Sequence, residues 1–202
     1  MLETLISNRA DGSQTKAYEK RAAILQAAHN VMLRYGFSRV TMDDIAKECG
    51  ISRPALYLFF KNKQEIYRAT TRVMCDLALD ILKGELAKDG SPKQLLFNGL
   101  KLGLLDMMVE LAASTHGSEL LDMKADLSDD IIAKFVEEMA QEIGGHFASF
   151  SNNGAFPPDM MAMNLMLWLE GMKAQIKEPA EREKALDGFL TMQFAALEAP
   201  KP

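Results

Sequence analysis

Apolar residues at Ile24, Ala27, Ala28, Val31, Met32 and Tyr35 recur three and four apart, the spacing that lines one face of a helix. They predict an amphipathic helix over about residues 17–35, ended by Gly36. Thr41 stands where an N-cap belongs, with Asp44 three residues on, and Met42, Ile45, Ala46 and Cys49 make one short apolar face. The expectation is a second helix of about seven residues. Gly50 stops it, Ser52 caps the next element, and Pro54 falls in the first turn, where a helix tolerates it. Ile51 and Leu56 occupy the two positions of a hydrophobic staple, which sets the angle at which the third helix leaves the turn. That helix, residues 53 to about 60, buries Leu56 and Phe60 and leaves Arg53, Ala55, Tyr57, Leu58 and Phe59 wholly or partly outward. An outward face this apolar, on a helix too short to be stable alone, belongs to a surface that meets something.

Asn62 and Glu65 form a further capping pair, opening a longer helix through Ile66, Thr70, Val73, Leu77 and Ile81 toward Gly84. It reads as a connector. After Gly90 the starts recur at Ser91–Pro92, Ser128 with Asp129 and Asp130, Pro157–Pro158 with Asp159, and Pro179, so the remainder reads as four or five helices. Leu95, Leu96, Leu100, Leu104 and Met108 line one of them. Ile131, Phe135, Met139 and Ile143 line another, which Gly144 and Gly145 kink or end. The last two cover about 158–177 and 180–197. No segment alternates with period two, and no repeat or low-complexity tract is present. The fold class is therefore all-α, with a three-helix domain at residues 1–63 joined by the connecting helix to a larger helical domain at 64–202.

Charge sharpens the division. Residues 1–75 hold 12 Lys and Arg against 7 Asp and Glu, whereas the rest holds 11 against 21, which together give the overall net charge of −5. A basic first third on an acidic remainder suits phosphate contact at one end only. No window approaches the roughly 18 apolar residues of a spanning helix, and the opening residues lack a signal-peptide core, so the expectation is a cytoplasmic chain without a membrane partner. Cys49 and Cys75 sit in helical patterns as small apolar fillers, which argues against a disulfide.

Two short helices joined by a tight glycine turn fit a helix-turn-helix, whose second helix enters a major groove while the first crosses the phosphates; spacing alone equally allows a small helical bundle with Lys61 and Lys63 as solvated charges. Arg53, in the first turn of the third helix, is the candidate base reader, since a guanidinium can grip guanine O6 and N7 bidentately. Thr41, Tyr57, Lys61 and Lys63 are candidates for phosphate contacts, which position the protein without specifying sequence. Ser52, Pro54 and Ala55 complete the expected DNA-binding set.

The run TMDDIAKECGISRPALYLFFKNKQEIY, Thr41 to Tyr67, resembles the N-terminal signature of the TetR family of bacterial regulators. The resemblance lies in the Thr-led helix containing Ile45 and Ala46, the Gly50-Ile51-Ser52 turn, the Leu56-Tyr57 pair, the aromatic at Phe60, and the Lys61-Asn62-Lys63 entry to the fourth helix. It covers about residues 17–70. One departure stands out: members often carry His or another polar group two residues after the Tyr, and this chain has Phe59. The resemblance implies a homodimer on a palindromic double-stranded operator, usually a repressor, released when a small molecule of unidentified chemistry enters the C-terminal domain.

It also assigns dimerisation to the last two helices, with Leu165, Trp168, Met172, Phe189 and Phe194 as candidates, and the effector pocket to the fourth through seventh. Met107, Met108, Met123, Phe135 and Met139 are candidate lining there, methionine being well suited to an adaptable apolar cavity. Cys49, Cys75 and His29 lack metal-ligand spacing, so neither metal nor cofactor is expected. Phosphate-binding, metallohydrolase and nucleophile-elbow motifs are missing, and the acidic pairs lie at helix starts, where the helix dipole explains them; an enzyme is not expected. The competing reading is a helical protein-interaction adaptor that has lost specific DNA binding.

Overall fold

The computed structural model describes residues 16–150 and 156–198, with the side chains of residues 118 and 121–126 outside that description. The described residues form helices and contain no strand. In order these are α1 (Lys16–Tyr35), α2 (Met42–Glu48), α3 (Arg53–Tyr57), α4 (Lys63–Leu86), α5 (Pro92–Leu100), a π-helical turn (Lys101–Leu105), α6 (Asp106–Ala112), α7 (Gly117–Phe150), α8 (Pro158–Gln175) and α9 (Pro179–Glu198).

Two compact units result, each with its own core. One takes the described residues through Leu77 together with Glu110–Ile132; the other takes Ala78–Val109 with the described residues from Ala133 onward. The sequence boundary at 63/64 marks the start of α4, whereas the units divide within that helix, because its first half packs in one core and its second half in the other. In the first unit α1 buries Ile24, Leu25, Ala28, Val31 and Met32 against Ile45 of α2, Leu56 of α3 and Phe60 just beyond it. Burial of such side chains is worth about 1.5–3 kcal/mol each, which is how α2 and α3, too short to persist alone, stay folded. Tyr67 of α4 joins this core, its ring edge-on to Phe37 at 5.4 Å, and its hydroxyl donates to the Leu120 carbonyl at 2.7 Å. Burial pushes that phenol up to about 12.

The second unit is organised around Leu82, Leu96, Leu100, Met139, Ile143 and Leu165, all essentially buried. Of the two outcomes the sequence allows at Gly144 and Gly145, a kink or an end, the helix does not end there; α7 continues to Phe150. A Cβ at Gly144 would come within 2.8 Å of the Asp159 carboxylate on α8, so the glycine serves close approach between two helices. The predicted helix start at Ser128 is instead a break inside α7, with φ −143° and ψ 23° at Ser128 itself. Arg68 of α4 donates to the Leu127 carbonyl and to the Asp130 carboxylate on either side of that break.

Candidate nucleic-acid interface

The site begins with three local caps. Thr41 accepts from the Asp44 N–H at 3.2 Å while the Asp44 carboxylate accepts from the Thr41 N–H at 2.9 Å and its hydroxyl at 2.7 Å, a reciprocal capping box. Those hydrogen bonds, the one from the Thr41 hydroxyl foremost, hold the Asp44 carboxyl below its ordinary value. Gly50, at φ +68°, makes the turn that a side-chain-bearing residue adopts only with strain. Ser52 then accepts from the Ala55 N–H at 3.3 Å to start α3, and Asn62 accepts from the Glu65 N–H at 2.8 Å to start α4.

With Leu56 and Phe60 buried, α3 has one orientation available. Arg53, Pro54, Tyr57 and Leu58 are exposed, and Ala55 is half-buried. The Arg53 guanidinium reaches back to the Tyr57 hydroxyl at 3.5 Å and lies 5.7 Å from its ring centre. That contact raises the Arg53 pKa further and gives the side chain a preferred direction. On the other flank Arg21 of α1 lies over the Phe60 ring at 4.3 Å, a contact that the sequence pattern gave no way to anticipate. Thr41, Ser52 and Lys61 are exposed beside these groups.

Lys63 differs from its neighbours. Its ammonium donates to the carbonyls of Phe37, Ser38 and Val40 at 2.7, 3.1 and 2.9 Å, which uses all three of its N–H groups. It also lies 4.6 Å from the Phe37 ring centre. The lysine expected at a phosphate is here a clasp on the loop between α1 and α2, which presents Thr41. Spacing could not have revealed this, because the partners are carbonyls more than twenty residues away.

The C-terminal candidates separate. Leu165 and Met172 are buried in their own chain's core. Trp168 stacks on Phe189 with ring centres 4.3 Å apart, and Phe194 meets Phe147 edge-on at 5.4 Å. The large apolar groups left exposed on these helices are Met160, Met163 and Leu167 on α8 and Met192 on α9. Of the candidate pocket residues, Met139 is fully buried, Met107 and Phe135 pack against the same core, and Met108 is half-buried. Met123 lies outside the described side chains. A cavity of about 20 Å³ does occur in the first unit, lined by His29, Tyr67, Thr70, Thr71, Met74 and Leu120 among others; it has room for about one water molecule. Among the described residues no cluster could hold a metal ion, and no helix is long and apolar enough to cross a membrane.

Comparison with known proteins gives a consistent result. Residues 24–70 match the profile described as bacterial regulatory proteins, tetR family. Over 119 residues the chain is 27% identical to the HTH-type transcriptional regulator TtgR of Pseudomonas putida, an alignment covering 59% of this chain and 57% of TtgR. The match thus spans little more than half of that relative. Among solved structures, a Mesorhizobium loti protein assigned to the TetR family superposes with a TM-score of 0.67 at 20% identity, over 90% of this chain and 98% of the other. SmeT, the repressor of the Stenotrophomonas maltophilia multidrug efflux pump SmeDEF, gives a TM-score of 0.61 at 20% identity over 90% and 97% of the two chains. SmeT in complex with triclosan gives 0.59 at 17%, over 91% and 99%.

Proposed function

From the match of residues 24–70 to the profile of bacterial regulatory proteins, tetR family, we infer that the whole protein is a transcriptional regulator that binds a palindromic operator as a homodimer. The observation that carries this reading is the exposed face of α3, where Arg53 is held against Tyr57 on a helix whose opposite side is anchored by Leu56. A helix of that kind enters a major groove with its first residues toward the base edges. Arg53 reads a guanine, Ser52, Pro54 and Ala55 line the approach, and Thr41, Tyr57 and Lys61 contact phosphates. Lys63 contributes by holding the loop that carries Thr41.

Dimerisation uses the outward stripe Met160, Met163 and Leu167 of α8, spaced to share one face, with Met192 of α9. Leu165, Trp168, Met172, Phe189 and Phe194 pack in the core on which that stripe lies. A two-fold pairing brings the same patch of both copies together and removes it from water. Release by a small molecule is the remaining element. The relative SmeT is known in a complex with triclosan, and a ligand shifts the DNA-bound state only through its differential affinity for the two conformations. Repression over activation, and a pocket near Met107, Met108, Phe135 and Met139, follow the same family reasoning.

Selection of genomic fragments with the purified protein, then titration of the enriched sequence at several salt concentrations, tests the reading. The expected result is a palindrome bound with a steep negative salt slope. Arg53→Ala weakens that site by about 1–3 kcal/mol with the dimer intact. Enrichment of no sequence would favour the adaptor reading.

A further inference from the structure

Leu58 is the most exposed large apolar residue among those described, at 85%. Singly exposed leucines are common on protein surfaces, so exposure alone decides nothing. Its position does. Leu58 continues α3 with helical backbone angles, φ −71° and ψ −21°, and successive helical residues turn by about 100°. It therefore stands about 200° around the axis from Leu56, which is completely buried. Pro54, four residues earlier, shares that line and is also exposed. The part of α3 that projects furthest from the protein is thus apolar. Arg53 and Tyr57 border it on one side and Lys61 follows it in the chain, all exposed.

Cations flanking an apolar ridge restrict what the ridge meets. The cations suit phosphates, and the floor between two phosphate strands of a duplex offers donors, acceptors and one kind of apolar group, the thymine C5-methyl. An isobutyl group laid against guanine, cytosine or adenine edges would cover polar atoms without replacing their hydrogen bonds, which is costly. Against the methyl it removes apolar surface from water on both partners.

We propose that Leu58 is a specificity-determining residue that reads a thymine C5-methyl in each operator half-site, next to the base contacted by Arg53. This rests on the DNA-binding reading above. The preference it creates is for thymine over cytosine, and over uracil in the same pairing, at one position per half-site.

The test alters the DNA and leaves the protein intact. In the selected operator each thymine is replaced in turn by deoxyuridine, which pairs identically and lacks only the methyl, and binding is titrated at fixed salt. One thymine per half-site is expected to matter, with an affinity loss of about fourfold per methyl removed. Leu58→Ala, a change at an exposed position, weakens the thymine operator comparably and makes binding indifferent to deoxyuridine at that position. Indifference of the unaltered protein to every deoxyuridine replacement overturns the proposal, as does undiminished sensitivity in Leu58→Ala. Those outcomes leave the DNA-binding reading standing. Failure to enrich any operator overturns that reading and this inference together.

Discussion

Two regions of this chain leave apolar side chains in water, and they do so in different surroundings. On α3 the exposed apolar groups, Tyr57 and Leu58, stand beside Arg53 and Lys61. On α8 they are Met160, Met163 and Leu167, in a run whose nearest charges are Asp159, Glu170 and Lys173. The neighbouring charge separates the two proposed partners: a cationic border suits phosphate, whereas a stripe with few charges of mixed sign suits another apolar surface, as in the proposed homodimer. The regions also differ in how they are held. The outward face of α3 is set by side-chain caps within four residues, at Thr41, Ser52 and Asn62, whereas α8 follows Pro157 without a side-chain cap and takes its orientation from core packing.

The largest effect that would break this contrast comes from charging the α8 stripe. In the proposed dimer, Leu167→Glu places a carboxylate from each protomer in the seam, and a buried unpaired charge costs roughly 3–5 kcal/mol. Sedimentation at micromolar concentration should show monomers, while circular dichroism and the unfolding of the N-terminal domain stay unchanged; a persistent dimer would mean that the stripe is not the interface. Next comes Leu56→Ala, which removes the anchor opposite the reading face and should cost about 2–5 kcal/mol in denaturant unfolding. Operator binding should fall with it, whereas subunit association should hold.

Lys63→Met sharpens the contrast within the head itself. It removes three charge-assisted hydrogen bonds to the α1–α2 loop, so stability should drop by about 1–3 kcal/mol, with the salt slope of DNA binding retained. Were Lys63 a phosphate contact, the slope would fall by about one unit with stability unaltered. Smallest is Thr41→Ala, about 1 kcal/mol for a lost cap. Because the Asp44 carboxyl is held below its ordinary 3.8 in the folded protein, the part of this contribution made through the carboxylate is present above that ordinary value and is lost as pH falls through the lowered one, while the Asp44 N–H bond to Thr41 persists. The stability gap between the parent protein and Thr41→Ala should accordingly narrow in acid, as measured by unfolding at pH 7 and pH 3.

How much of this was readable without coordinates depends on how far apart the interacting groups lie. The boundaries of α1, α2 and α4, the Thr41–Asp44 box and the outward set on α3 all followed from residues within one or two helical turns. Met139 and Phe135, by contrast, were legible only as apolar residues on a helix; their packing in a core came from neighbours remote in sequence. Ser128 shows the middle case. Its capping signal located a discontinuity correctly, but whether the chain would turn away or merely kink depended on surroundings that a local pattern does not contain.

The sequence by itself determined that the described residues are helical, that two short helices meet at a glycine turn between Thr41 and Lys63, and that the second of them carries Arg53 and Tyr57 outward. These are short-range matters of backbone propensity, caps and apolar period. Only the tertiary structure decided that Lys63 clasps carbonyls, that Leu165 and Met172 are core while Leu167 is surface, and that residues 110–132 complete the N-terminal unit. Each of these is settled by which surfaces remain after distant segments have packed, and a helical period specifies a face without naming what will cover it.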